Sequence, residues 1–171
     1  TLIIAFLIAG GFESMYLRPQ GPHQWRQADC LSFTLNYAED DLPFFEPQLH
    51  KLTADNRTTG KTSGEFPALY YAVGNLWKVT GQSENLYRII NLVFFILGLW
   101  SLFATLKNFV EHKSLAIAVA VLPITIPVLT YFAPNFLQNT TALSSALIAW
   151  FFSFKFYRSK KTVWALLAIL F

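Results

Sequence analysis

Residues 85–107 read NLYRIINLVFFILGLWSLFATLK, an apolar run whose only charged residues are Arg88 and the terminal Lys107. A run of about 18 apolar residues or more can cross a hydrocarbon core as a helix, because a helix satisfies its own backbone groups where no water can. Two further runs, 115–132 and 140–154, are also nearly free of charge. The whole chain has 171 residues, of which 54% are hydrophobic and 13% charged. That is more apolar, and more clustered, than an ordinary soluble domain. The expected fold is all-α: a polytopic transmembrane helical bundle with a large outer loop carrying interfacial amphipathic helices. Expected spans lie at about 1–16, 85–107, 114–132, 139–156 and 162–171, with the outer loop at 17–83. Gly10-Gly11 would let the first span approach a neighbour closely. Pro123 and Pro127 should bend or break the third. Residues 162–171 are too few to cross, since a span needs about 20. We therefore expect the chain to be the N-terminal part of one longer transmembrane module.

Net charge is +3 and the isoelectric point about 9.0. The excess comes from loop lysines and arginines rather than a basic patch, so membrane lipids are expected partners and nucleic acid is not. Lys107 and Lys113 border one short connection, and Lys155, Arg158, Lys160 and Lys161 border another. Alternating spans put both on one face, which the positive-inside rule assigns to the cytoplasm. The 17–83 loop and the 133–139 turn then share the outer face. A single cysteine, Cys30, excludes an internal disulfide framework and a cysteine metal cluster.

The outer loop is too long to be a passive connection. It holds the densest polar stretch beside an apolar run, Gly21-Pro22-His23-Gln24-Trp25-Arg26-Gln27-Ala28-Asp29. Pro22 suits the first turn of a helix. A helix continuing to about Glu39 would align Trp25, Ala28, Leu31/Ser32, Leu35 and Ala38 as an apolar stripe. Arg26 and Asp29, three apart, would share a face. They form either a surface ion pair of little worth or part of a site. Trp25 is likewise either an interfacial anchor or a substrate contact. A second helix should follow Gly64-Glu65-Phe66-Pro67, with Phe66, Leu69/Tyr70, Val73, Leu76/Trp77 and Thr80 at helical spacing and Gly81 as its stop. At roughly 15 residues and roughly 22 Å it is short for a span and suits the membrane surface. Residues 43–63, between the two helices, read as irregular.

Two interfacial helices side by side could bring Asp29 and Glu65 to one cleft. A carboxylate there can take a proton from an acceptor hydroxyl or amine as it attacks. Arg26, Arg88, His23 and His50 could supply charge or donors to a phosphate leaving group. Glu65 has a second reading, as a helix-start residue favoured by the helix dipole. No glycine-rich phosphate loop, His-Glu-x-x-His or Gly-x-Ser-x-Gly is present.

The ordered series His23-Gln24-Trp25-Arg26-Gln27-Ala28-Asp29, Pro47-Gln48, Glu65-Phe66-Pro67, Tyr70-Tyr71 and Glu84-Asn85-Leu86-Tyr87-Arg88 resembles the start of a bacterial membrane glycosyltransferase. The group is that of the dolichyl-phosphate-mannose protein mannosyltransferases and the lipid A aminoarabinose transferases, with the C-type glycosyltransferase fold. The resemblance implies an integral protein of the bacterial inner membrane. It implies transfer of a sugar from a polyprenyl-phosphate donor to a lipid, glycan or protein acceptor on the outer face. It implies Asp29 as general base, Glu65 as the acidic residue of the second loop helix, and Arg88 near the lipid phosphate. Trp25, Arg26, His23, His50 and Tyr70 complete the candidate substrate-binding set. No cofactor follows from these residues, but the resemblance admits a divalent metal ion. Where relatives often carry Pro-Asp, this chain has Gln138-Asn139, and an amide is a weaker ligand for a hard cation. The rival readings are a transporter or flippase of lipid-linked sugars and a non-catalytic membrane scaffold. A transporter would place polar groups midway along several spans; here the ionisable groups crowd the outer loop.

Overall fold

The computed structural model describes residues 2–19, 23–52, 56–62 and 65–171. Its regular elements are helices, and among the described residues the only β pairing is a single antiparallel bridge between Gln48 and Lys61. The chain divides into two compact units. One comprises residues 1–16 and 88–171, the other residues 17–87.

The first unit opens with α1 (Leu2–Ile8) and α2 (Gly11–Ser14). The single span expected at 1–16 is thus two short helices. The break is at Gly10, whose φ of +74° leaves the helical region at a cost only glycine avoids. Gly11 does give close approach, but to Phe6 of the preceding helix, whose ring lies where a Cβ would stand. The long apolar run forms α5 (Glu84–Leu106), which begins in the other unit and continues here. Among the described residues it is the one helix long and apolar enough to cross a membrane.

The expected third span is interrupted, as its prolines require. It comprises α6 (Lys113–Val121), a 3₁₀ turn (Leu122–Thr125) and α7 (Pro127–Phe132). Carbonyls left without a helical partner are met by side chains: Thr130 donates to the Ile124 carbonyl at 2.6 Å and Thr125 to that of Leu122 at 2.8 Å. The turn from Ala133 to Leu137 is buried, and α8 (Asn139–Ser159) follows it. Its polar residues, including Thr140, Thr141 and Ser144, keep it less apolar than α5 although it is long enough to span. α8 stops at Lys160 in a left-handed conformation and packs against α9 (Thr162–Leu170). Phe6, Phe95, Leu99, Ile124 and Ala133 form the apolar core of this unit. Gly98 lets α5 meet α8, since a Cβ there would lie 2.7 Å from the Ser144 Cα.

The second unit is built on α3 (Gln24–Glu39) and α4 (Ala68–Thr80). Helix formation from about residue 24 to Glu39, and from just after Pro67 to Gly81, follows the sequence pattern. Pro22, expected at the first turn, lies outside the described residues; His23 is the N-cap. The face of α3 buried in the protein is a different one from the apolar stripe expected at the membrane surface. Gln27, Cys30, Phe33, Thr34, Asn36 and Tyr37 are buried, whereas Trp25 is 64% exposed. The polar members of this face have partners that sequence spacing does not reveal. Asn36 donates to the Gln48 carbonyl at 2.7 Å, and Tyr37 donates to that of Phe44 at 2.8 Å. On α4 the buried set is Tyr70, Val73, Gly74 and Trp77. Gly74 sets the spacing between the two helices, because a Cβ there would lie 2.7 Å from the Tyr37 Cβ and 2.8 Å from the Thr34 carbonyl oxygen. The loop after α3 is pinned by ring contacts of Phe44 with Tyr71 and Phe66, at centroid distances of 5.1 and 5.5 Å. Asp41 and Lys78 form an ion pair between that loop and α4.

Candidate active site

Arg26, Asp29, Cys30 and Phe33 follow one another at helical spacing along one flank of α3 and line a pocket of about 150 Å³. Leu49 and Thr62 bring the irregular loop to it, and Glu65 and Tyr70 bring the start of α4. The loop side depends on Gly60, which has φ +72° and whose Cβ would lie 2.2 Å from the Leu49 carbonyl oxygen. That approach lets the Leu49 N–H donate to the Gly60 carbonyl at 2.9 Å. The pocket is smaller than the roughly 300–1,000 Å³ of a site that encloses a whole drug-sized ligand. It suits one end of a larger molecule.

Glu65 is held from two sides. Its Oε1 pairs with the Arg26 guanidinium, and its Oε2 accepts from the Tyr70 hydroxyl at 2.9 Å. Because that hydroxyl spends its proton on Glu65, its oxygen is left to accept from the Cys30 thiol, 3.1 Å away. Burial pushes the Tyr70 hydroxyl well above its ordinary range and raises the Cys30 thiol as well. Both therefore keep their protons at neutral pH and serve as donors. The ring of Tyr70 is fixed by stacking on Phe33, with centroids 5.3 Å apart. Arg26 is thus paired with Glu65 and not, as its spacing on the helix suggested, with Asp29. The side chain that Asp29 shares a helical face with has turned to a residue far away in sequence.

Asp29 makes no hydrogen bond or ion pair among the described residues. Burial raises its carboxyl above the usual aspartate range, opposed by the positive charges of Lys51 and Arg26. A lone carboxylate with an elevated affinity for protons, open to a pocket, is suited to accept a proton from a bound hydroxyl or amine.

The pocket therefore gathers Trp25, Arg26, Asp29, Glu65 and Tyr70 of the expected set. His23 and His50 are not among its lining. His23 is exposed at the start of α3. His50 docks on α3 through Ser32, whose Oγ lies 2.7 Å from Nδ1 and accepts from the backbone N–H at 2.9 Å. Arg88 belongs to the other unit, where it is 3% exposed. Its Nη1 donates to the Asn135 side-chain oxygen at 2.8 Å, and its guanidinium lies 4.5 Å from the centre of the Phe136 ring. Asn91 donates to the Asn135 carbonyl and accepts from Thr141 at 2.8 Å, so Arg88 joins a buried polar network tying α5 to the 133–137 turn and α8. Cys30, Phe33, Leu49 and Thr62 were not anticipated. Cys30 and Phe33 could have been found from their helical spacing to Arg26; Leu49 and Thr62 carry no local signal.

The donor set does not suit a divalent metal. Among the described residues no three histidine, cysteine or acidic side chains cluster as ligands. Of the pocket's two carboxylates, Glu65 is already bound to a guanidinium that would repel a second cation. Asn139 is exposed at the start of α8. A larger cavity, about 680 Å³, lies in the other unit along α1, α5 and α6. It is lined by apolar side chains such as Leu2, Ile96, Trp100 and Phe103, with no group able to do chemistry.

Compared with protein-family models, curated proteins and solved structures, the chain finds no match in any of the three.

Proposed function

We propose that this chain belongs to a polytopic membrane glycosyltransferase that moves a sugar from a polyprenyl-phosphate donor to an acceptor on the outer face. The observation that carries the reading is the meeting of Asp29, on α3, and Glu65, just before α4, in one pocket with Tyr70 and Arg26. Asp29 is the general base. It removes the proton of the acceptor hydroxyl or amine as that atom attacks the anomeric carbon. The bond from that carbon to the phosphate oxygen breaks, and polyprenyl phosphate leaves with the electron pair. Glu65, fixed by Tyr70 and Arg26, orients the acceptor beside Asp29. Arg88, in the other unit, steadies the 133–137 turn there through its hydrogen bond to Asn135. The spanning length of α5 and the apolar α6–α7 and α9 segments support a membrane-embedded module.

The test is an assay in membranes holding the full-length protein and a polyprenyl-phosphate donor labelled in the sugar. A transferase releases polyprenyl phosphate and moves the label to a non-donor product. A flippase would change the sidedness of the intact donor with its sugar–phosphate bond unbroken, and that result would refute the proposal.

A further inference from the structure

The charges lining the pocket have a consequence for what it can bind. Among the described residues its lining holds one cation, Arg26, and two carboxylates, Asp29 and Glu65. The cation is neutralised in place by Glu65, and Glu65 is in turn held by a buried tyrosine that keeps its proton. The charge of the lining that has no ion-pair partner among the described residues is therefore the carboxylate of Asp29, with Lys51 close enough to act on it. A phosphate or carboxylate entering the pocket would meet Asp29 while the nearest guanidinium was already engaged. A hydroxyl meets no such penalty, because it donates to Asp29 and needs no counter-charge.

We infer that this pocket takes an uncharged, hydroxyl-bearing end of the acceptor, and that Glu65 is the residue that keeps anionic groups out by occupying Arg26. The inference rests on the transferase reading for the word acceptor, but the charge filter itself is read from the pocket. Glu65 is then a specificity-determining residue. It also follows that the donor phosphate is held by groups outside this pocket.

Replacing Glu65 by glutamine separates these ideas. Glutamine keeps the shape and an oxygen for Tyr70 but releases Arg26. The full-length protein in detergent is titrated with glucose and with glucose 6-phosphate, and the emission of Trp25 at the pocket is followed against a Trp25→Phe control. The wild-type protein should respond to glucose 6-phosphate no more strongly than to glucose. Glu65→Gln should bind glucose 6-phosphate about tenfold more tightly or better, as a freed charge-assisted hydrogen bond implies. Arg26→Gln/Glu65→Gln should lose that gain. A wild-type preference for the phosphate, or no gain in a folded Glu65→Gln protein, would overturn the inference. If circular dichroism shows Glu65→Gln to be unfolded, the wild-type comparison is made by competition with inorganic phosphate: displacement of glucose 6-phosphate signal by millimolar phosphate overturns the inference, and its absence supports it. A protein that fails the transfer assay yet gains phosphate binding on Glu65→Gln would refute the transferase reading and leave the filter standing.

Discussion

Asp29 carries the most specific consequence for single residues. A base must be ionised to act, and burial makes this carboxyl hold its proton to a higher pH than an ordinary aspartate. The transfer rate should therefore fall on the acid side sooner than an unperturbed aspartate would allow. Lys51 opposes the shift by favouring the charged form. Lys51→Met removes that opposition, so the acid limb of the pH–rate profile should move to higher pH while the plateau stays close to the wild-type value. A limb that stays in place, or moves down, would show that Asp29 is not the titrating base. How far this was legible in the sequence is instructive. The spacing of Arg26 and Asp29 gave the right helix and flank, but the wrong ion pair. The partner of Arg26 is set by the approach of the α4 start to α3, which no local pattern encodes.

Among the elements, α3 and α4 show where hydrophobic spacing succeeds and where it fails. Pro67 and Gly81 mark the ends of α4, and its buried Tyr70, Val73 and Trp77 fall on the expected stripe. On α3 both flanks carry apolar side chains, so periodicity alone could not choose between them. The choice follows from Tyr37 and Asn36, whose polar atoms find the Phe44 and Gln48 carbonyls. Once that face turns inward, α4 must offer a residue without a side chain opposite Tyr37. Gly74→Ala should accordingly cost about 1–3 kcal/mol by overpacking, read as a lowered thermal midpoint of the full-length protein. An unchanged midpoint would mean that the two helices are not in close contact at this point. The same reasoning explains α1 and α2. A glycine pair reads equally as a packing motif or as a break, and only the backbone at Gly10 decides it.

At the scale of the molecule, composition made the helical class plain, and it placed α5 correctly as a helix of spanning length. It also placed a span at 139–156, where α8 is long enough to cross but serines, threonines and a basic end keep its hydropathy below that of α5. Those hydroxyls are used within the fold: Ser144 donates to the Thr140 carbonyl at 2.7 Å and Thr141 to Asn91. The proposed orientation predicts which surfaces face outward. Cys30 is 3% exposed and should be silent to a membrane-impermeant thiol reagent. Glu46→Cys in the outer loop should then be labelled on intact cells, and Lys160→Cys only after the membrane is opened. Labelling of Lys160→Cys on intact cells would invert the topology.

The most direct test of the account as a whole is the sugar-transfer rate of Asp29→Asn in the full-length protein, measured at saturating donor beside the wild type. Loss of a general base should lower that rate by roughly 10²- to 10⁴-fold, with folding and donor binding retained. A variant that transfers sugar at the wild-type rate would contradict it.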